Sequence, residues 1–263
     1  MNILDTIVER KRAEVAERKQ LKALDMIKAD PFYTRKTISL VEGLSKPNAS
    51  GIIAEFKRKS PSKGVINDRV DPVEVTQAYQ ASGASAVSIL TDSHFFGGDD
   101  QDLLRARQVL TIPILRKEFI IDEYQVHEAK ALGADLILLI AACLSRDEVV
   151  RFSALARSLG LEVLLELHDE DELGHVCETI DLVGINNRSL KTFDVNIARS
   201  LRMAGQLPKD KLKVAESGID DPAQVKLFRE NGYSAFLIGE NFMKTNDPGI
   251  ALHEFRNQIE LLG

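Results

Sequence analysis

Eight short apolar segments recur along the sequence, and a helix-like pattern follows each of them. Runs of this length are typical of strands buried on both faces, as in a parallel sheet covered by helices. Several helices begin with clear signals, such as Asp71-Pro72 and Asp221-Pro222, where a capping carboxylate precedes an early proline. The predicted strands lie at 51–56, 85–90, 112–116, 134–140, 161–165, 181–185, 211–215 and 234–238.

Eight strand-then-helix units predict a single (β/α)₈ barrel, and 263 residues is an ordinary length for one. The first part of the chain differs, because Ile3, Ile7 and Val15 alternate with charges in a helical pattern. We therefore expect residues 1–48 to form a helical extension packed on a barrel of residues 49–263. A doubly wound open sheet is the main rival, but no G-x-G-x-x-G motif follows the first strand.

Composition limits the classes of function. The net charge of −6 and the lack of a basic, aromatic-rich stripe indicate that the chain does not bind nucleic acid. The longest apolar run, 136–143, is too short to cross a membrane, and no export signal is recognisable, so we expect a cytoplasmic protein. Cys143 and Cys177 have no metal-ligand spacing and are interpreted as reduced thiols. We expect a monomer or a weak homo-oligomer.

Charged residues gather where the predicted strands end. Side chains alternate between the two faces of a strand, so an inward Ile53 places Glu55 and Lys57 at the barrel mouth. The same alternation on the other strands brings further residues to this mouth, where active sites of these barrels lie. Together they are Glu55, Lys57, Lys117, Glu166, Asn186, Arg188 and Glu216. Each alone could be a salt bridge at the rim, but six ionisable groups at strand ends favour a catalytic cleft.

Glycines after the last two strands predict a phosphate site. Gly218 follows the seventh strand and Gly239-Glu240 follows the eighth, which is the usual place for phosphate binding in such barrels. Backbone N–H groups there supply donors, and glycine lets a phosphate approach closely. Because Glu240 would repel a phosphate, we expect its side chain to turn outward.

These segments resemble the indole-3-glycerol-phosphate synthase family. The most specific is EFKRKSPS (55–62), and the resemblance extends over essentially the whole chain, including the helical extension. The other segments are ILTDSHFFGG (89–98), PILRKEFIID (113–122), LLELHDEDEL (164–173), GINNRSLKTF (184–193), VAESGI (214–219) and FLIGENFM (236–243). Ala215 and Ser189 depart from the family pattern, which has serine and aspartate there, and Ser189 adjoins Arg188.

The resemblance implies a reaction and roles for the residues. Family members convert 1-(2-carboxyphenylamino)-1-deoxyribulose 5-phosphate into indole-3-glycerol phosphate, carbon dioxide and water. By this resemblance, Lys117 is the general acid of ring closure, Glu166 the base of the later dehydration, and Glu55 its acid–base partner. Lys57 contacts anionic groups of the substrate and assists proton transfer. No metal or cofactor is implied.

The remaining roles implied by the resemblance concern binding. Asn186 and Arg188 hold substrate hydroxyls and charges, with Glu216 and Ser217 nearby. The phosphate loop matches Gly218, Gly239 and Glu240. The pocket for the anthranilate ring matches Ser60, Pro61, Phe96, Phe119 and Leu190.

Acid–base chemistry near neutral pH sets requirements on the pKa values. A free lysine with a pKa of about 10.4 is a weak acid, so we expect the pKa of Lys117 to be lowered by burial or nearby cations. A carboxyl that shuttles protons needs a raised pKa, which neighbouring carboxylates at the mouth supply for each other. His168 is interpreted as a loop or capping residue, and residues 62–64 as a loop that closes over the substrate.

Three other functions remain open from the residues. Lys117 could form a Schiff base in an aldolase. The barrel could also bind a sugar phosphate without catalysis, although that needs no base opposite an acid. The third is phosphoribosylanthranilate isomerase, a related barrel enzyme that uses a cysteine and an aspartate at strand ends as its acid–base pair. Neither Cys143 nor Cys177 lies at such a position, which argues against this function.

Overall fold

The computed structural model describes residues 3–189 and 194–262, and within these ranges eight parallel strands form a closed barrel. Each strand pairs with the next along the chain, and the last pairs with the first. The strands are β1 (Ile52–Phe56), β2 (Ala86–Leu90), β3 (Ile114–Lys117), β4 (Leu136–Ile140), β5 (Glu162–Leu167), β6 (Leu182–Asn186), β7 (Leu212–Glu216) and β8 (Ala235–Ile238). The predicted barrel is confirmed, and each strand boundary falls within two residues of its predicted position.

Helices precede the barrel and connect its strands, because a parallel strand can follow another only after the chain has crossed back. They are α1 (Ile3–Leu21), α2 (Leu24–Lys28), α3 (Leu40–Leu44), α4 (Pro72–Ala81), α5 (Ser93–Phe96), α6 (Asp100–Arg107), α7 (Glu123–Leu132), α8 (Arg146–Ser158), α9 (Ile197–Ala204), α10 (Pro222–Glu230), α11 (Glu240–Met243) and α12 (Pro248–Leu261). The predicted caps form: Asp71 accepts hydrogen bonds from the first turn of α4, and Asp221 does the same for α10.

One connection differs from the helix predicted after every strand. Between β5 and β6 the chain forms a short 3-10 helix, Glu170–His175. Four acidic residues in a row, 169–172, repel one another on a helix. Gly174 further disfavours a regular helix, and a β-carbon there would lie 2.3 Å from the guanidinium of Arg146.

The strands separate two layers of the apolar core. Ile53, Leu115, Leu164 and Val214 pack together inside the barrel, as the alternation along each strand predicts. The side chains between them point outward and form a second layer with the helices. The next inward-facing position after the inner layer is therefore at the C-terminal mouth, where the polar residues lie.

The segment before β1 closes the opposite end of the barrel. Leu40 of α3 is fully buried in the inner core layer. The carboxylate of Glu162, at the start of β5, accepts hydrogen bonds from the main-chain N–H groups of Leu40 and Val41. This contact holds α3 across the bottom of the barrel.

The first helix reaches the mouth of the barrel instead. The buried ammonium of Lys11 in α1 lies 3.0 Å from a carboxylate oxygen of Asp92 and 3.1 Å from one of Glu118. Both acidic residues follow the C-terminal ends of strands, after β2 and β3. The N-terminal segment thus contacts both ends of the barrel. Across the described residues, no helix is both long and apolar enough to cross a bilayer.

Candidate active site

A cavity of about 510 Å³ opens at the C-terminal ends of the strands. Its volume lies within the range of small-molecule sites, about 300–1,000 Å³. The structure brings together at this cavity all of the polar residues that the sequence places at the mouth. They are Glu55, Lys57, Lys117, Glu166, Asn186, Arg188 and Glu216.

Lys117 lies at the centre of the site. Its ammonium is 2.7 Å from Oε2 of Glu166 and 2.9 Å from Oε2 of Glu216, and it donates a hydrogen bond to each. The three residues lie at the C-terminal ends of strands β3, β5 and β7, so alternate strands of the barrel supply them. One cation therefore bridges two buried carboxylates, and a proton has short paths among the three groups.

A second ion pair lies at the C-terminal end of β1. Lys57 Nζ donates to Oε1 of Glu55 over 2.7 Å. Gly239 provides the space for this carboxylate, because a β-carbon at that position would lie 2.6 Å from Oε1 of Glu55. Gly239 thus has a steric role at the mouth in addition to any role in binding phosphate.

The two carboxylates beside Lys117 have opposite pKa shifts. Burial raises the pKa of Glu216 to about 8, with the charge of Glu166 adding to this effect and Lys117 opposing it. Burial also opposes ionisation of Glu166, but Lys117 and His168 outweigh it and hold the pKa of Glu166 well below its usual range. The pair therefore carries one proton near neutral pH, as expected for two close carboxylates.

The pKa of Lys117 does not follow the expectation from sequence. Burial lowers the pKa of Lys117, but the negative charges of Glu166, Glu216 and Glu55 raise it by more. The net shift is therefore upward. The prediction of a lowered pKa was wrong, because the nearest charges are carboxylates and not cations. Lys117 is held there as a firmly protonated ammonium.

The raised pKa of Glu216 predicts how stability depends on pH. The unfolded chain releases this proton near the ordinary pKa of about 4.3, whereas the folded chain holds it until about pH 8. Between these values the folded state binds more protons, so the free energy of unfolding falls as pH rises. A Glu216→Gln variant has no carboxyl group to ionise at this position. As pH rises, wild type should therefore lose stability relative to this variant.

Urea unfolding of both proteins across this pH window measures the effect. We expect the stability of wild type minus that of Glu216→Gln to become steadily more negative from mildly acidic to mildly alkaline pH. A difference that stays constant across the window would show that Glu216 ionises normally in the folded protein.

Asn186 and the residues after it extend the site. The side-chain amide of Asn186 donates to Oε1 of Glu166 over 3.0 Å, and its oxygen accepts from the main-chain N–H of Arg188 over 3.0 Å. Ser217 adopts a left-handed backbone conformation with φ +65, and its carbonyl accepts from the side chain of Asn187 over 2.8 Å. These contacts fix the loops after β6 and β7 around Glu166.

Gly184 on β6 leaves the space that Glu216 occupies. A β-carbon there would lie 2.0 Å from Oε1 of Glu216. We expect Gly184→Ala to displace this carboxylate from Lys117 and to lower kcat by about 100-fold, the usual cost of a misplacement near 1 Å. Steady-state kinetics checks this.

A second glycine provides the control for that variant. At Gly205 the nearest atom to an added β-carbon is 3.6 Å away, so Gly205→Ala should keep wild-type activity. Unchanged kcat in Gly184→Ala would mean that the position of Glu216 does not matter for turnover.

The predicted phosphate side of the mouth has one unexpected feature. Gly218, Gly239 and Glu240 all line the cavity, and Gly218 has a positive φ of +67. The Glu240 carboxylate was expected to turn outward. Instead it lies 3.6 Å from Arg188 and 3.6 Å from Lys63. These two cations attract the carboxylate that was expected to turn outward.

Four residues of the predicted ring pocket also line the cavity. Ser60, Pro61, Phe96 and Phe119 line it, and the centroids of the two aromatic rings are 5.9 Å apart. Leu190 lies outside the described residues. Sequence reasoning missed three further lining residues, Ile3, Leu4 and Ile7 of α1. Their helical spacing was visible, but nothing in the sequence shows which end of the barrel the helix covers.

His168 lies directly after β5, in the loop where the sequence places it. Its side chain is buried, and Nε2 lies 3.1 Å from Oε1 of Glu166. A residue interpreted as a loop or capping histidine thus contacts the central carboxylate. Its position two residues after Glu166, on the same strand face, was the available signal.

Comparisons with known proteins show the family of this chain. A sequence model of the family described as indole-3-glycerol phosphate synthase matches residues 4–255. The chain belongs to this family. It is 48% identical to an indole-3-glycerol phosphate synthase of Bacteroides thetaiotaomicron, over 98% of this chain and 99% of that one. It is 44% identical to the indole-3-glycerol phosphate synthase of a Polaromonas species, over 95% and 97% of the two chains.

A solved structure supports the fold independently of the family. A mutant tryptophan synthase alpha-subunit from Pyrococcus furiosus matches with a TM-score of 0.60 and 13% identity. The match covers 81% of this chain and 98% of that chain. At this identity it shows the barrel fold alone. The indole-3-glycerol phosphate synthase family is therefore the source of the functional argument.

Proposed function

We propose that the barrel mouth converts 1-(2-carboxyphenylamino)-1-deoxyribulose 5-phosphate into indole-3-glycerol phosphate, carbon dioxide and water. The chain belongs to a family of carbon–carbon lyases of tryptophan biosynthesis, and the proposal assigns that reaction to named residues. The observation that carries it is the Lys117 ammonium held between two buried carboxylates at a cavity of about 510 Å³.

Ring closure needs a proton donor at the substrate's carbonyl oxygen. As the new carbon–carbon bond forms, that oxygen becomes an alkoxide, which is a stronger base than a lysine amine. Lys117 can therefore deliver its proton despite its raised pKa. The substrate oxygen would take the place of one of the two carboxylates that contact Lys117.

The later steps need a base and a second acid. Carbon dioxide leaves from the carbon that formed the new bond, and the electrons neutralise the iminium nitrogen of the substrate. In the dehydration Glu166 removes a proton from carbon, and Glu55 protonates the departing hydroxyl. Glu166 is ionised and can accept a proton, but Lys117 and His168 hold its pKa low and make it a weaker base than the raised pKa expected from the sequence would give. Lys57 donates to Glu55 over 2.7 Å and holds that carboxyl group in place.

The charged rim suits an anionic substrate. Arg188, Lys63 and the backbone around Gly218 and Gly239 lie together at one end of the cavity. A phosphate bound there would replace the Glu240 carboxylate as the partner of Arg188 and Lys63. The anthranilate ring would lie between Phe96, Phe119 and the apolar residues of α1.

Further properties belong to the same proposal. We infer a cytoplasmic enzyme that acts on a small phosphorylated substrate and does not bind nucleic acid. We also infer a monomer or a weak homo-oligomer. The division into a helical extension of residues 1–48 and a barrel of residues 49–263, forming one domain overall, stays a prediction.

A fluorescence assay for the indole product tests the function directly. Purified protein is given the carboxyphenylamino-deoxyribulose phosphate, with and without EDTA. We expect turnover in both conditions. Tight substrate binding without any indole product would favour the silent sugar-phosphate binder. A covalent adduct trapped by borohydride at Lys117 would favour the aldolase.

A further inference from the structure

His168 lies directly behind the carboxylate that we assign as the base of dehydration. Its Nε2 atom is 3.1 Å from Oε1 of Glu166, and the residue is only 4% exposed. The angle of this contact does not suit a hydrogen bond. Within the described part of the chain, both ring nitrogens of His168 are therefore buried without a hydrogen-bond partner. A buried imidazole kept in this state beside a catalytic carboxylate needs an explanation.

The 3-10 helix after β5 fixes this ring from the other side. The main-chain N–H of His168 donates to Oε2 of Glu172 over 2.6 Å, and the same oxygen is 4.0 Å from Nδ1 of the ring. The imidazole is therefore held between two carboxylates, with little freedom to turn away from Glu166.

The other partners of Glu166 show when the imidazole would be needed. Lys117 contacts Oε2, whereas Asn186 and His168 lie beside Oε1. If Lys117 turns to the substrate oxygen during ring closure, Oε2 loses its cation. A buried carboxylate without a partner tends to take up a proton and would then no longer serve as a base.

We propose that His168 is a positioning residue of the synthase reaction. A proton on its Nε2 donates to Oε1 of Glu166, and this keeps Glu166 ionised and directed at the substrate after Lys117 has moved. The inference rests on the proposed function, since it concerns the base of that reaction. Catalytic hydrogen bonds often tighten only in the substrate complex, and we expect this 3.1 Å contact to align there.

Two substitutions separate this role from simple packing. His168→Leu fills similar space but has no donor, whereas His168→Gln places an amide donor near the position of Nε2. We expect kcat of His168→Leu to fall about 10- to 100-fold, the effect of one hydrogen bond to a charged group, with KM changed much less. His168→Gln should recover most of the lost kcat.

His175 gives a matched control in the same segment. Among the described residues its ring bonds main-chain oxygens alone, those of Glu172 and Leu144, at 3.0 and 3.1 Å. His175→Leu should therefore leave kcat close to wild type. In a Glu166→Gln background His168→Leu should have almost no further effect, because the group it positions is already changed.

The outcomes separate the two proposals. No turnover by wild type would overturn the proposed function itself. Given wild-type turnover that is lost in Glu166→Gln, three results would overturn the role of His168. These are an unchanged kcat in His168→Leu, an equal loss in His175→Leu, and no recovery in His168→Gln, each with folding confirmed by thermal unfolding.

Discussion

Replacing Lys117 by alanine should lower kcat by at least about 10²- to 10⁴-fold, the range for loss of a general acid. The substitution removes the proton donor of ring closure. It also removes the cation that lies 2.7 and 2.9 Å from the buried carboxylates of Glu166 and Glu216. Steady-state kinetics with the fluorescence assay measures the loss.

Two further variants distinguish the proton from the charge. Lys117→Arg keeps a cation, but a guanidinium does not release its proton in proteins, so we expect it to be nearly as inactive as alanine. Lys226→Ala, on an exposed helix at the outside of the barrel, should retain full activity. Substantial activity in Lys117→Ala would show that another group is the general acid.

Replacing Asp135 by alanine should give the largest loss of stability. This carboxylate is fully buried and contacts Arg35 and Arg107 at 2.6 and 2.7 Å. It also accepts from the main-chain N–H groups of Ile38 and Ile114. Removing it leaves buried cations and N–H groups without their partner, and we expect the free energy of unfolding to fall by about 3–5 kcal/mol.

Urea unfolding compares this variant with two others. Asp135→Asn keeps the shape but loses the charge, so it should be destabilised in the same direction and is the test if alanine does not fold. Asp210→Ala, with a side chain 73% exposed, should change stability by less than about 0.5 kcal/mol. A midpoint for Asp135→Asn equal to that of wild type would contradict a structural role for this ion-pair network.

The sequence predicts the fold and the set of residues at the mouth for a simple reason. Side chains alternate between the two faces of a strand, and this alternation is a local property. If Leu115 or Leu164 faces inward, then Lys117 or Glu166, two residues later, also faces inward and lies nearer the mouth. Once the barrel was predicted, the ends of separate strands had to meet. This part of the prediction needed no knowledge of distant contacts.

What the sequence could not supply depends on contacts between distant segments. Asp135 was read only as part of an apolar strand, since its partner Arg35 lies 100 residues away along the chain. The direction of the pKa shift of Lys117 depends on which charges lie nearest, and these come from two other strands.

The strand face of His168 could be predicted from the sequence, but its contact with Glu166 could not. The fifth strand was predicted to end at residue 165, whereas β5 continues to Leu167. His168 lies just beyond this end, in the loop where the sequence placed it. The longer strand keeps His168 on the same face as Glu166 and brings the two side chains together.

The order of the proposed steps can be tested by measuring carbon dioxide and indole product together in a single turnover. Lys117 acts before decarboxylation, whereas Glu166 acts after it. Glu166→Gln should therefore release carbon dioxide faster than it forms the indole product, and Lys117→Ala should produce neither. Carbon dioxide release at the wild-type rate from Lys117→Ala, or none from Glu166→Gln, would contradict the assignment of acid and base at the barrel mouth.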